Sequence, residues 1–185
     1  MSAGDQVLNI GSVSLPIASA TLTAGLPDPY WCDTYNNGHG KDLRWRLEIR
    51  AQETQVDDDY WAPVLYVEHL AFPTRDWCQL ETQEYVWDQP FDKYTSEPNG
   101  GFYVFEHANI GKGRLRFVGR DGRRFAVRWD GLCDIHWNAT FGSDVAFSLA
   151  AQPTFTHVFV DGSERDTSAT LRARLDTFLN VADFD

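Results

Sequence analysis

The chain has no apolar run near the eighteen or so residues that a membrane-crossing helix needs, so no helical span is expected. Cysteine is scarce. Cys32, Cys78 and Cys133 are far apart and outside any C-x-x-C, which argues against a disulfide framework or a thiolate metal site. Each is expected to be a small buried hydrophobe in a reducing compartment. The opening stretch MSAGDQVLNI lacks the basic and apolar regions of a secretory leader, and a cytoplasmic location is therefore expected. Nucleophile motifs of the G-x-S-x-G and S-x-x-K kinds are missing. Gly111-Lys112-Gly113 precedes a strand pattern and not a helix, so it is no phosphate cradle. Asp57-Asp58-Asp59 lacks the spacing of a calcium loop and reads as a solvated hairpin end. No cofactor is expected.

Basic residues are also few. Sixteen Lys and Arg face 27 Asp and Glu, giving a net charge of -11, with a pI near 4.7. Such a chain repels polyanions over most of its surface, which disfavours nucleic acid as a partner. The charge is uneven. Residues 53–98 carry eleven acids against Arg75 and Lys93, a net -9, whereas residues 112–128 carry Lys112 and six arginines against Asp121, a net +6. Either the two blocks lie side by side and neutralise each other, or they face outward toward a partner.

What is abundant is aromatic: 12 Phe, 7 Tyr and 7 Trp among 185 residues, with 14 Gly and 8 Pro spread along the chain. Length suits one domain that buries about 70% of its unfolded surface. Period-two alternation dominates. Leu43, Trp45, Leu47, Ile49 and Ala51 alternate with Arg44, Arg46, Glu48 and Arg50 as one half-buried strand. Strands are also expected around Val13–Ile17, 64–72, 78–87, 102–107, 133–137, 144–149 and 154–160. Loops are expected at 25–41 and 88–101, the latter long enough to serve as a lid or contact loop. Leu171, Leu175, Phe178 and Leu179 form a helical stripe near 167–180, capped by Ser168 or Asp166. The reading is an all-β, single-domain sandwich or barrel of about eight to ten mainly antiparallel strands with a C-terminal helix.

The stretch Arg114–Trp129 reads as a hairpin. A three-residue loop Arg120-Asp121-Gly122, with Gly122 left-handed, opposes Phe117 to Phe125 and Leu115 to Val127. Leu115, Phe117, Phe125, Val127 and Trp129 then share a core face. Arg114, Arg116, Arg124 and Arg128 share the other, a cationic ribbon whose guanidinium forks suit carboxylate or phosphate.

A second constellation is histidine-based. Asp134 and His136 lie two residues apart on one strand face, the spacing that gives two ligands to one metal, and His69 or His107 could complete the set if three strands converge. His157 sits between Phe155 and Phe159 and reads as a core-edge histidine. Trp45, Trp129 and Trp137 fall on core faces, which leaves Trp31, Trp61, Trp77 and Trp87 as an exposed set on which sugar rings could stack. The reading that follows is a non-catalytic interaction protein that meets a protein partner through charged surfaces, as immunity proteins and inhibitors do by charge. The alternative is a small-ligand binder or metal-dependent enzyme built on His69, His107, Asp134 and His136.

Overall fold

The computed structural model describes residues 6–30, 42–93 and 96–184. Eight strands close into an antiparallel barrel: β1 (Val7–Ile10), β2 (Val13–Leu26), β3 (Arg44–Ala51), β6 (Val64–Leu70), β8 (Gly101–Tyr103), β9 (His107–Asp121), β10 (Arg124–Cys133) and β11 (Val145–Ala151). β1 completes the ring, pairing with β2 on one side and β11 on the other. Four further strands are added. β4 (Thr54–Val56) and β5 (Asp59–Trp61) make a separate hairpin, and β7 (Glu84–Trp87) lines up on β9. β12 (Thr154–Val160) slots between β10 and β2, parallel to β2.

Alternation explains the interior. In β3 the residues Trp45, Leu47, Ile49 and Ala51 are buried while their neighbours stay partly or fully exposed, as the sequence pattern predicts. Trp45, Trp61, Trp129, Phe102, Phe125 and Phe155 are the largest fully buried side chains. Each such side chain contributes about 1.5–3 kcal/mol of transfer free energy. They fill the barrel by edge contacts: Trp87 lies on Trp129 at 6.0 Å between centroids, and Trp77 on Phe155 at 5.3 Å.

Helix α1 (Ser168–Asp176) sits at one end of the barrel, beside the ends of β2 and β12. Its N-cap is Thr167, which exchanges hydrogen bonds with Thr170 in a capping box. Neither Ser168 nor Asp166 holds that position; the Asp166 carboxylate accepts from the Ser163 backbone N–H at 2.7 Å instead. Arg174 donates to the Leu26 and Asp161 carbonyls, and Arg75 to that of Asp176, which ties the helix to the ends of β2 and β12 and to the segment after β6. No described helix is long and apolar enough to cross a membrane.

Several sequence expectations change. Residues 78–87 are not one strand: Trp77–Thr82 forms a 3-10 helix, η1, capped by Asp76, and only Glu84–Trp87 is extended. Asp57-Asp58-Asp59 does lie at an exposed hairpin end, that of β4–β5. β2 runs on to Leu26, well past Ile17 and into the segment read as loop. Most of that loop, with Trp31, Cys32, Tyr35 and His39, lies outside the described residues, as does Tyr94.

Gly111-Lys112-Gly113 does not turn the chain but lies within β9, with Gly111 left over in a bulge opposite β10. Gly113 is needed there for room. A Cβ at this position would lie 2.2 Å from Trp87 Cζ2, and the Trp87 indole is pinned by its N–H donating to the Ile110 carbonyl at 2.9 Å. Gly113→Ala is expected to cost about 1–3 kcal/mol through overpacking, read as a lowered denaturation midpoint with unchanged slope. A variant as stable as the parent would show that Trp87 is not held against β9.

Candidate functional site

The hairpin sorts its side chains as alternation requires, by another register. The loop has two residues, Gly122-Arg123, and Gly122 takes φ +57 at the first position, as a type II′ turn demands. That turn alone would set Arg128 opposite Phe117 and mix the two faces. A bulge at Val118 corrects it. Ala126 pairs with Gly119 but Val127 pairs with Phe117, so one residue of β9 is left over. Leu115, Phe117, Phe125, Val127 and Trp129 are therefore all buried, while Arg114, Arg124 and Arg128 are exposed and Arg116 half-exposed. The expected pairing of Phe117 with Phe125 and Leu115 with Val127 gives way to Phe117 with Val127 and Leu115 with Trp129.

Much of the cationic ribbon is neutralised within the molecule. Strand β7 brings Glu84 alongside β9, where it meets Arg114 Nε at 3.2 Å. From η1, Glu81 faces Arg120 at 3.8 Å, and the same guanidinium lies 5.4 Å from the Trp77 ring. Arg116 reaches Asp130 on β10 at 2.7 Å. Partly exposed pairs like these contribute only about 0–1 kcal/mol each to stability. Their consequence is electrostatic: the nearest part of the acidic block cancels the arginines. Arg124 and Arg128 make no ion pair among the described residues. Arg124 lines a polar cleft of about 300 Å3 with Gln6, Ser19, Gln152 and Thr154, where β1 and β12 part along β2.

The histidine constellation does not assemble. Among the described residues no group of three or more His, Cys, Asp or Glu side chains is placed to hold a metal ion. The topology gives the reason. Val64, at one end of β6, pairs with Tyr103 beside His107, and His69 lies five residues farther along the strand. At about 3.3 Å per residue that separates His69 from His107 by roughly 16 Å. His69 also occupies a bulge, with φ +62, which turns it and Glu68 off the core face while Leu70 goes in. His107 packs on Tyr103 at 4.8 Å, and the Asp134 carboxylate accepts from the Asp144 backbone N–H at 3.0 Å. His136 is exposed beyond the end of β10. His157 is exposed too, because a bulge between Phe155 and Val158 rotates it outward.

Of the tryptophans expected at the surface, the three that the structure describes are inside. Trp61, Trp77 and Trp87 are 0%, 8% and 7% exposed, which removes the proposed stacking surface among the described residues. Aromatic surface lies elsewhere, at the barrel end opposite α1. The β4–β5 hairpin, the β8–β9 turn and residues 134–144 meet there, joined by Asn138 Nδ2 donating to Asp57 Oδ2 at 3.3 Å. Trp61 is the floor, with Phe141 at 5.6 Å and Trp137 at 6.2 Å. Phe105 leans on the outer side of Trp137 at 6.3 Å. Phe105 is 49% exposed, Tyr60 61% and Tyr103 39%. Sequence reasoning missed these three. The available signal was the strand alternation Tyr60/Trp61, where one ring going inward sends the other out.

Acids concentrate at the same end. Asp57, Asp58, Asp59, Glu106, Asp134 and Asp144 belong to these three segments, and residues 54–63, 101–111 and 134–144 contain no Lys or Arg. None of the six makes an ion pair among the described residues. Searches of protein-family models, curated proteins and solved structures return no match to this chain.

Cys133, beside this end, is no nucleophile. Burial first, and the neighbouring Asp134 charge second, push its thiol up from 9.0 to about 12. The unfolded chain therefore loses this proton at a lower pH than the native one, so the thiol's contribution to stability is lost as pH rises from about 9 to about 12. Replacing Cys133 with Ala is expected to flatten that alkaline decline relative to the parent, measured by denaturant titration at several pH values. An unchanged slope would contradict a buried neutral thiol.

Proposed function

We propose that this protein is a non-catalytic interaction protein that binds a basic protein partner through its outward-facing carboxylates. One observation supports the reading: two of the four ribbon arginines, Arg114 and Arg116, are paired within the molecule, while several exposed acids make no ion pair among the described residues. Glu53, Asp57, Asp58, Asp59 and Asp88 have no ion pair among the described residues, whereas Glu68, Glu81 and Glu84 each meet an arginine. Free carboxylates at exposed turns steer a cationic partner and set the salt dependence of its binding. The barrel interior supports the same reading, because it is occupied by Trp45, Leu47, Phe102 and Trp129 at 0–1% exposure. Against the alternative, a metal or small-ligand site around His69, His107, Asp134 and His136, weighs the finding that no group of three or more His, Cys, Asp or Glu among the described residues is placed to hold a metal ion. Arg124 and Arg128 are a secondary surface for carboxylates of the same partner.

Titration with small basic and small acidic proteins of similar size tests this. Basic proteins are expected to bind, with affinity falling at least tenfold as ionic strength rises from about 0.05 to about 0.5 M and screening shortens. No binding, or binding indifferent to salt, would overturn the proposal.

A further inference from the structure

We infer that the aromatic barrel end opposite α1 is the docking surface, and that it takes an arginine-rich polypeptide segment. This deepens the proposed function and rests on it. Three observations converge. Tyr60, Phe105 and Tyr103 keep large rings in solvent although the chain buries Trp61 and Phe102 directly beneath them. Three of the eight large hydrophobic side chains exposed among the described residues thus sit on two of the three segments at this end, Tyr60 on the β4–β5 hairpin and Tyr103 and Phe105 around the β8–β9 turn. The three segments carry six carboxylates and neither lysine nor arginine. And they are joined to one another, through Asn138 and Asp57 and through the ring contacts of Trp137 with Trp61, Phe102 and Phe105. Phe105 therefore rests on Trp137 and Tyr103 on His107, and both rings lose little conformational freedom on binding.

The chemistry selects the occupant. Apolar partners gain from rings but not from six negative charges. Neutral sugars stack on rings and have no use for the field, and polyanions are repelled. A guanidinium uses both, since its plane stacks on an aromatic face while its edge donates two parallel hydrogen bonds to a carboxylate. An ammonium has the charge without the planar fork. The surface is therefore matched to arginine over lysine, in a segment long enough to reach from the β4–β5 turn to the β8–β9 turn.

The test uses the full chain and two synthetic peptides of equal length, one alternating Arg with Gly and one alternating Lys with Gly, followed by calorimetry. Two site variants are compared: Tyr60→Ser with Phe105→Ser, which keeps every charge, and Asp57→Asn with Asp58→Asn and Asp59→Asn, which keeps every ring. The control is Asp121→Asn with Glu164→Gln, which removes two exposed acids that lie outside the three segments and outside the carboxylates assigned to the partner. All substituted side chains are substantially exposed, and near-UV circular dichroism of the buried tryptophans checks that the barrel is intact. The Arg peptide is expected to bind several-fold more tightly than the Lys peptide, each site variant to lose about tenfold, and the control to stay within about twofold. If the control loses binding and the site variants keep it, the docking surface lies elsewhere while the proposed function stands. Equal affinity for the two peptides, or an unaffected ring variant, overturns the selection of arginine. If the parent protein binds neither peptide, both fall.

Discussion

Strand β1 is four residues long, and every one of them pairs on both sides. Val7 faces Ala150 and Pro16, Leu8 faces Leu149 and Leu15, Asn9 faces Ser148 and Ser14, and Ile10 faces Phe147 and Val13. This short strand turns a long twisted sheet into a ring, and the other features depend on it. A closed ring has no edge between β2 and β11 to pair with another chain. It also makes inside and outside absolute: with a period of two, each strand must send half its side chains into a space of fixed size. The chain fills that space with indole and phenyl rings. Charge has only the outer wall and the ends in which to reside.

The outer wall and the ends are then treated differently. On the wall, hydrogen bonding between β7 and β9 sets glutamates among arginines, and the guanidinium of Arg120 also lies over Trp77. At one end, α1 and the segments it touches use arginines to cap carbonyls. At the other, acids gather with no lysine or arginine among them, around rings left in solvent. The asymmetry of charge along the sequence thus becomes an asymmetry of position, with partial cancellation along the barrel and none at that end.

The faces of the strands could be read from the sequence; their registers and partners could not. Trp45, Leu47 and Ile49, and the five apolar residues of the β9–β10 hairpin, are buried as alternation demands. Yet the hairpin reaches that result through a two-residue turn and a bulge at Val118, where parity alone suggested a three-residue loop. Parity fixes which face a residue takes and is blind to a shift of two. Bulges hid other features for the same reason: His157 and the Glu68-His69 step leave their expected faces where an extra residue enters the ladder. Gly113 resembled a turn because glycine signals both turns and close approach, and only the position of Trp87 distinguishes them. Trp61, Trp77 and Trp87 were misassigned by elimination, since their burial depends on packing against distant residues, Trp137 and Phe141, Phe125 and Phe155, and Trp129, rather than on local pattern. The parallel pairing of β12 with β2 links residues more than 130 positions apart and has no local signature.

We propose that the filled barrel meets its partner through the acidic and aromatic end. Amide hydrogen exchange, followed by mass spectrometry with and without the Arg-Gly peptide, tests it most directly. Protection confined to peptides covering residues 54–63, 101–111 and 134–144 is the predicted result. Protection centred on the β9–β10 hairpin or on the strand interiors, with that end unchanged, would contradict it.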